Sequence, residues 1–257
     1  MVTARQRSIH LFRFAGIDVF LHWFWFLFAA YEISDRTKSY SSLSWNVLEY
    51  LALFFIVLLH EYGHALACRQ VGGTANQIML WPLGGVAYVN PPLRPGATLW
   101  SLAAGPLVNV ALLLVFFPLG MKLDRSLGLA RRAPDLHSFL IALLGINAIL
   151  LVFNLLPIYP LDGGQILRSL LWFVIGNARS LMAAAIVGFA GVAGLLALAG
   201  LIHSIWLGIL ALFILMSCWG GLRHAQALSR MAELPRDEGL PSPPHEAARP
   251  AGKVLDL

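Results

Sequence analysis

Leu58-Leu59-His60-Glu61-Tyr62-Gly63-His64-Ala65-Leu66-Ala67 sets two histidines and a glutamate at the end of a run, residues 51–59, that is entirely apolar. On a helix, residues four apart share a face, so His60 and His64 can present their imidazoles to one metal ion. Glu61 lies one residue further on and can serve that site as general base. Gly63 keeps the helix thin, which leaves room for a substrate backbone. Ionisable groups inside an apolar helix are costly unless they are paired or do chemistry. The bland alternative is a polar cluster that packs helices by hydrogen bonding.

The rest of the chain agrees that this helix sits in a bilayer. Of 257 residues, 58% are hydrophobic and only 12% are charged, against about 25% charged in a soluble domain. That excludes a water-facing surface, a disordered chain and a fibrous repeat. A bilayer core needs about 20 apolar residues per helix, and spans are expected at about 15–31, 45–68, 97–121, 136–157, 180–199 and 201–221. The fold class expected is therefore all-α and polytopic, with about six transmembrane helices. The run Gly16–Ala30 also resembles a secretory signal, but the aromatics crowded into Trp23–Phe26 favour an uncleaved first span. With the N-terminus cytoplasmic, twelve Lys and Arg residues fall inside and six outside. This points to cytoplasmic N- and C-termini in a cell (inner) membrane, with the basic 122–132 loop arguing the other way. The net charge of +5 is spread over short segments between apolar runs, so it speaks for topology and not for nucleic acid. Cys68 and Cys218 make no disulfide framework.

Two connections are unusual. Between the second and third spans, Gln77-Ile-Met-Leu-Trp-Pro-Leu-Gly-Gly-Val-Ala-Tyr-Val89 holds two short β-prone runs around a Pro-Leu-Gly-Gly break. A small membrane-associated β-hairpin is expected there. After the fourth span comes Asn154-Leu-Leu-Pro157-Ile-Tyr-Pro160-Leu-Asp162-Gly163-Gly164. Irregular backbone at membrane depth survives only where protein buries it or it lines a wet cavity, so both breaks mark an internal site. The remainder is read as one domain, 1–231, followed by a disordered Pro-rich cytoplasmic tail, 232–257.

A histidine pair needs a third ligand, because catalytic zinc usually takes three protein ligands and keeps one position open. Asp162 is the candidate, with Gly163-Gly164 leaving room around it; its alternative is a turn aspartate that caps the next helix. Counted from about Ser44, His60–His64 lie roughly 24–30 Å along their helix, toward the cytoplasmic side if the N-terminus is inside. Cys68 shares the His60/His64 face but reads as a small buried hydrophobe. His22 reads as a packed histidine beside Trp23, and the other histidines suggest no ligand set. Gly188, Gly191 and Gly194 form a small-residue face suited to close helix packing.

These motifs together, with Pro82-Leu-Gly-Gly85 and Gly105-Pro106-Leu-Val-Asn109, resemble the site-2 proteases over roughly residues 10–225. That family consists of intramembrane zinc metalloproteases that cut transmembrane or membrane-adjacent segments of other proteins. Its frequent Asn-Pro-Asp-Gly is replaced here by Pro160-Leu161-Asp162-Gly163, a form similar to the compact subgroup of the sporulation-factor-processing protease. No PDZ-sized insertion separates the spans, and the tail is short for a nucleotide-binding regulatory pair.

The resemblance implies Zn2+ held by His60, His64 and Asp162, with Glu61 passing a proton from water to the leaving amine. It also implies substrate contacts by Asn154 and, with a weaker case, Asn109. The hairpin around Gly84 and Gly85 offers an edge on which an unwound substrate could pair as an added strand. The partners implied are the lipid bilayer and a transmembrane protein substrate, such as a membrane-bound transcription factor, an anti-sigma factor or a remnant signal peptide. A membrane metal-ion transporter using the same His/His/Asp set as a transit site is the alternative. It would have no need of the glutamate directly after His60.

Overall fold

The computed structural model describes residues 8–27, 29, 40–81 and 84–233. Five helices among these residues are long and apolar enough to cross a membrane, and a small four-stranded sheet lies against the first of them. The protein is a multi-pass integral membrane protein built mainly of helices.

The sheet opens with β1 (Ser8–Phe14) and β2 (Ile17–His22), an antiparallel pair. Ala15 and Gly16 join them with φ of 49° and 72°, the mirror-image turn whose twist matches that of the strands. Helix α1 (Leu43–Gln70) follows, and Arg69 in its last turn pins the hairpin by donating to the carbonyls of Ala15 (2.5 Å) and Gly16 (2.9 Å). Strand β3 (Thr74–Trp81) then runs parallel to β2, with α1 in the crossover, and β4 (Gly84–Asn90) returns antiparallel to β3. The hairpin expected over 77–89 is therefore present, extended by a second one that the sequence did not disclose.

The expected first span starts as strand β2. Ile17, Val19, Phe20, Leu21 and His22 are all buried. A strand covered on both faces loses its two-residue alternation and reads as a continuous apolar run. Residues 24–27 are helical, while 28 and 30–39 lie outside the described residues.

Helix α2 (Pro95–Leu127) begins with proline at its first position, where the missing N–H has no helical partner to lose. It ends at Gly128, left-handed at φ 60°, whose N–H donates to Asp124 O at 2.8 Å. The short α3 (Leu129–Arg132) leads to α4 (Pro134–Leu155). Asp135 at the start of α4 accepts hydrogen bonds from the Ser41 amide and hydroxyl, which fixes that end against the entry to α1. Helix α4 stops because Pro157 cannot donate and pushes the preceding Leu156 to an extended ψ of 133°. After the break come α5 (Asp162–Ile175), α6 (Asn177–Leu201) and α7 (Ile205–Glu233). At 14 residues, α5 is about 21 Å long and too short to span. The expected tail falls outside the described residues from 234 onward.

The outer surface of the helices is apolar, and the interior holds buried polar side chains as well as apolar cores. Leu114, Val152 and Phe213 are exposed, whereas Ser101, Asn109 and Asn147 are buried at 0–2% exposure. One apolar core joins β2 and β3 to α1, through Val19, Ile78, Leu80, Val57 and Ala65. A second surrounds Ile158, with Val192 and Leu195 of α6 and Ile214 and Cys218 of α7. The first core carries His60 and His64, and the second holds the segment that ends at Asp162.

Candidate metal centre

Helix periodicity turns His60 and His64 to the same side of α1, and both rings are buried. Their Nε2 atoms lie 3.1 Å apart. Asp162, the first residue of α5, brings its Oδ2 to 3.0 Å from His60 Nε2 and 3.2 Å from His64 Nε2. Leu161 is the residue that precedes α5, and no side chain caps it; the Asp162 carboxylate faces the histidines and not its own helix. Among the described residues this is the one group of His, Cys, Asp and Glu side chains arranged to hold a metal ion.

The three donor atoms suit a small divalent ion. Ligands at about 2.0–2.1 Å in tetrahedral array stand about 3.3 Å from one another, close to the separations found here. The distal ring nitrogens agree. His64 Nδ1–H donates to the carbonyl of Ser101 at 2.8 Å, so the neutral ring keeps its Nε2 lone pair for a metal ion. His60 Nδ1 meets Asn109 Oδ1 at 2.5 Å. Both partners come from α2, which backs α1 closely. A Cβ at Gly105 would collide with both imidazoles, and one at Gly63 would lie 2.7 Å from Ala104 O. The space expected beside Gly63 for a substrate is therefore filled by α2.

Glu61 faces the sheet. Its Oε2 accepts a hydrogen bond from the Ala87 amide at 2.7 Å, and any side chain at Gly85 would overlap its carboxylate. Ala87 pairs with Ile78 of β3, and β4 is an outer strand of the described sheet. The amide that holds Glu61 thus belongs to the unpaired side of β4. Gly84 has open space around its Cα and a φ of 141°, while Pro82 and Leu83 lie outside the described residues.

The remaining candidates divide. Asn109 is fully buried and its amide is committed: Oδ1 to His60, Nδ2 to Asn147 Oδ1 at 2.6 Å. Asn154 is half-buried in the last turn of α4, and among the described residues its amide has no hydrogen-bond partner. Cys68 is buried with Sγ toward the carbonyl of Thr74, apart from the ligand group. His22 is buried and stacked on Trp81, with centroids 4.1 Å apart. Of the glycine face on α6, Gly188 and Gly191 press on Tyr159 and Ile158, while Gly194 meets nothing within 4 Å.

Ser101, Ala87 and Asn147 were not among the residues picked from sequence. The first two act through backbone atoms, which leave no side-chain signature. Asn147 did leave one: an amide in an apolar span of α4, a position where polar groups are costly.

Comparisons with known proteins give the family and the fold. The family model for peptidase family M50 matches residues 49–128 and 127–198, more than half of the chain. A zinc metalloprotease of Methanocaldococcus jannaschii is 33% identical over 181 residues, covering 70% of this chain and 50% of the relative. Stage IV sporulation protein FB of Bacillus subtilis is 34% identical over 121 residues, 46% of this chain and 38% of that protein. A solved structure of the site-2 protease from Methanocaldococcus jannaschii matches with a TM-score of 0.60 and 30% identity, covering 84% of this chain and 95% of that one. The chain spans about half the length of the curated relatives it matches.

Proposed function

The chain belongs to peptidase family M50, and on that premise we propose that it is an intramembrane zinc metalloendopeptidase that hydrolyses peptide bonds in or near transmembrane segments of membrane proteins. The observation that carries this reading is the convergence of His60 Nε2, His64 Nε2 and Asp162 Oδ2 within 3.0–3.2 Å of one another, one residue from a buried glutamate. Zinc bound there supplies a Lewis acid that polarises the scissile carbonyl and acidifies water.

The protein's own residues do the rest. Ser101 and Asn109 hold the two imidazoles so that their Nε2 lone pairs face the site. The Ala87 amide holds Glu61 Oε2, leaving Oε1 to take a proton from the attacking water and deliver it to the leaving amine. A substrate helix hides its carbonyls in i to i−4 hydrogen bonds and must be unwound before it can react. The unpaired side of β4, around Gly84 and Gly85, suits an extended substrate added as a further strand. Asn154, without a hydrogen-bond partner among the described residues and just before the break that leads to Asp162, is suited to hydrogen-bond the substrate backbone.

The Lys and Arg distribution supports a cell (inner) membrane location with both termini, including the 232–257 tail, in the cytoplasm. Membrane-bound transcription factors, anti-sigma factors and remnant signal peptides are the substrate classes that fit. Membranes from cells producing the unaltered chain or Glu61→Gln test the proposal through fragment proteomics and zinc content. Intact transmembrane proteins should accumulate with Glu61→Gln while zinc is retained. Identical fragment patterns would refute the protease reading in favour of metal transport.

A further inference from the structure

Outward-facing apolar side chains clothe α4, and among its described residues the fully buried one is Asn147. An amide carried into the middle of a bundle in this way must be matched, because no water is at hand to satisfy it. Its match is complete. Asn147 Nδ2 donates to the backbone carbonyl of Asn109 at 2.9 Å, and Asn147 Oδ1 accepts from Asn109 Nδ2 at 2.6 Å. Asn109 Oδ1 in turn meets His60 Nδ1 at 2.5 Å.

The direction of this chain is forced from one end. A backbone carbonyl can only accept, so the atom of Asn147 that faces Asn109 O must be the amide nitrogen. Asn147 therefore shows its oxygen to the Asn109 side chain, which must answer with its own nitrogen. Asn109 is left with its oxygen toward His60, and an oxygen there requires the hydrogen on Nδ1. In the neutral ring His60 Nε2 then keeps the lone pair that a metal ion held with His64 and Asp162 requires. Without Asn147, the Asn109 amide is free to turn over, present its nitrogen to Nδ1, and drive the hydrogen onto Nε2, where it blocks a metal.

We infer that Asn147 is a positioning residue for the metal centre: acting through Asn109, it selects the His60 tautomer that can bind a metal ion. The inference rests on the zinc-site reading above. It ties α4, whose end leads into the Asp162 segment, to a ligand on α1 that α4 does not itself hold.

The test uses the full chain in detergent micelles, with zinc affinity measured by chelator competition and the His60 Nδ1–H hydrogen bond to Asn109 read by 15N chemical shift in the zinc-loaded state. Asn147→Leu should weaken zinc binding about ten- to a hundredfold, the usual cost of losing a partner that orients a ligand. It should also move the His60 Nδ1–H signal, because Asn109 is no longer held with its oxygen toward Nδ1. Asn147→Asp, which reproduces both the donor and the acceptor when protonated, should keep the affinity within a few-fold. The double variant with Asn109→Leu should be no weaker than Asn109→Leu alone, since both changes break one path. Should Asn147→Leu fail to fold, Asn147→Ala removes the same groups without added bulk and carries the same expectations. An unchanged His60 Nδ1–H signal, unchanged affinity in Asn147→Leu or Asn147→Ala, or losses that add in the double variant would overturn the inference. Absence of zinc from the unaltered chain would instead overturn the zinc-site reading itself.

Discussion

The two sides of the metal centre are built by different means. On the α1 side, His60, Glu61 and His64 follow one another on a continuous helix, and the covalent spacing already decides that the two imidazoles meet. On the other side Asp162 begins a short helix after an irregular stretch, 156–161, that no local rule would hold in place. What holds it is α6 and α7. The missing Cβ of Gly188 is occupied by the Tyr159 backbone and Cys218 Sγ, that of Gly191 by Ile158, and that of Gly221 by the Tyr159 ring. Cys218 Sγ also donates to the Tyr159 carbonyl at 2.8 Å. One ligand pair is thus positioned by chain periodicity, and the third ligand by contacts with segments 25–60 residues further on. Damage on the first side should act directly on the metal, and damage on the second should act at a distance.

The largest effect is expected on the α1 side. His64→Ala removes a ligand outright and should lower cleavage by at least about a thousandfold, since metal assistance is worth several kcal/mol. Residual proteolysis within tenfold of the unaltered chain would show that the pair is not the ligand set. On the distal side, Gly188→Val should push Tyr159 away and weaken zinc binding about ten- to a hundredfold, although residue 188 touches no ligand. Gly194→Val is the control on the same helix, where no atom lies within 4 Å of the added Cβ. Equal zinc affinities for the two valine variants would dissolve the distinction between the halves.

A smaller change is expected where the sheet meets Glu61. Gly85→Ala forces the carboxylate to move and should reduce kcat about tenfold with zinc content intact; loss of zinc in step with kcat would mean that β4 supports the ligands and not the base. The least effect is expected at Cys68. Cys68→Ala should leave zinc affinity within about twofold and cost roughly 1 kcal/mol of stability, as for a small buried hydrophobe. A measurable drop in zinc affinity would bring Cys68 back as a ligand.

The same division explains what could be read in the chain beforehand. The His60–His64 face, five of the six expected span-length helices and the break at Pro157–Pro160 are written in local spacing and are found among the described residues. Asp162 was reachable as a candidate because a carboxylate after two prolines stands out in an apolar chain, but its meeting with His60 depends on packing that no spacing rule contains. The β1–β2 hairpin was hidden because burial on both faces erased the strand pattern of Ile17–His22. Gly63 looked like an opening and is a contact, since only the packed α2 reveals that Ala104 fills it. Asn109 looked like a substrate contact because its partners, Asn147 and His60, are 38 and 49 residues away in sequence.

Zinc content of the purified chain with Asp162→Ala tests the junction of the two halves most directly. The unaltered chain should hold one zinc ion, and Asp162→Ala should lose it on dialysis against a mild chelator while the helices remain folded by circular dichroism. Full retention of zinc by folded Asp162→Ala, at the affinity of the unaltered chain, would contradict the account.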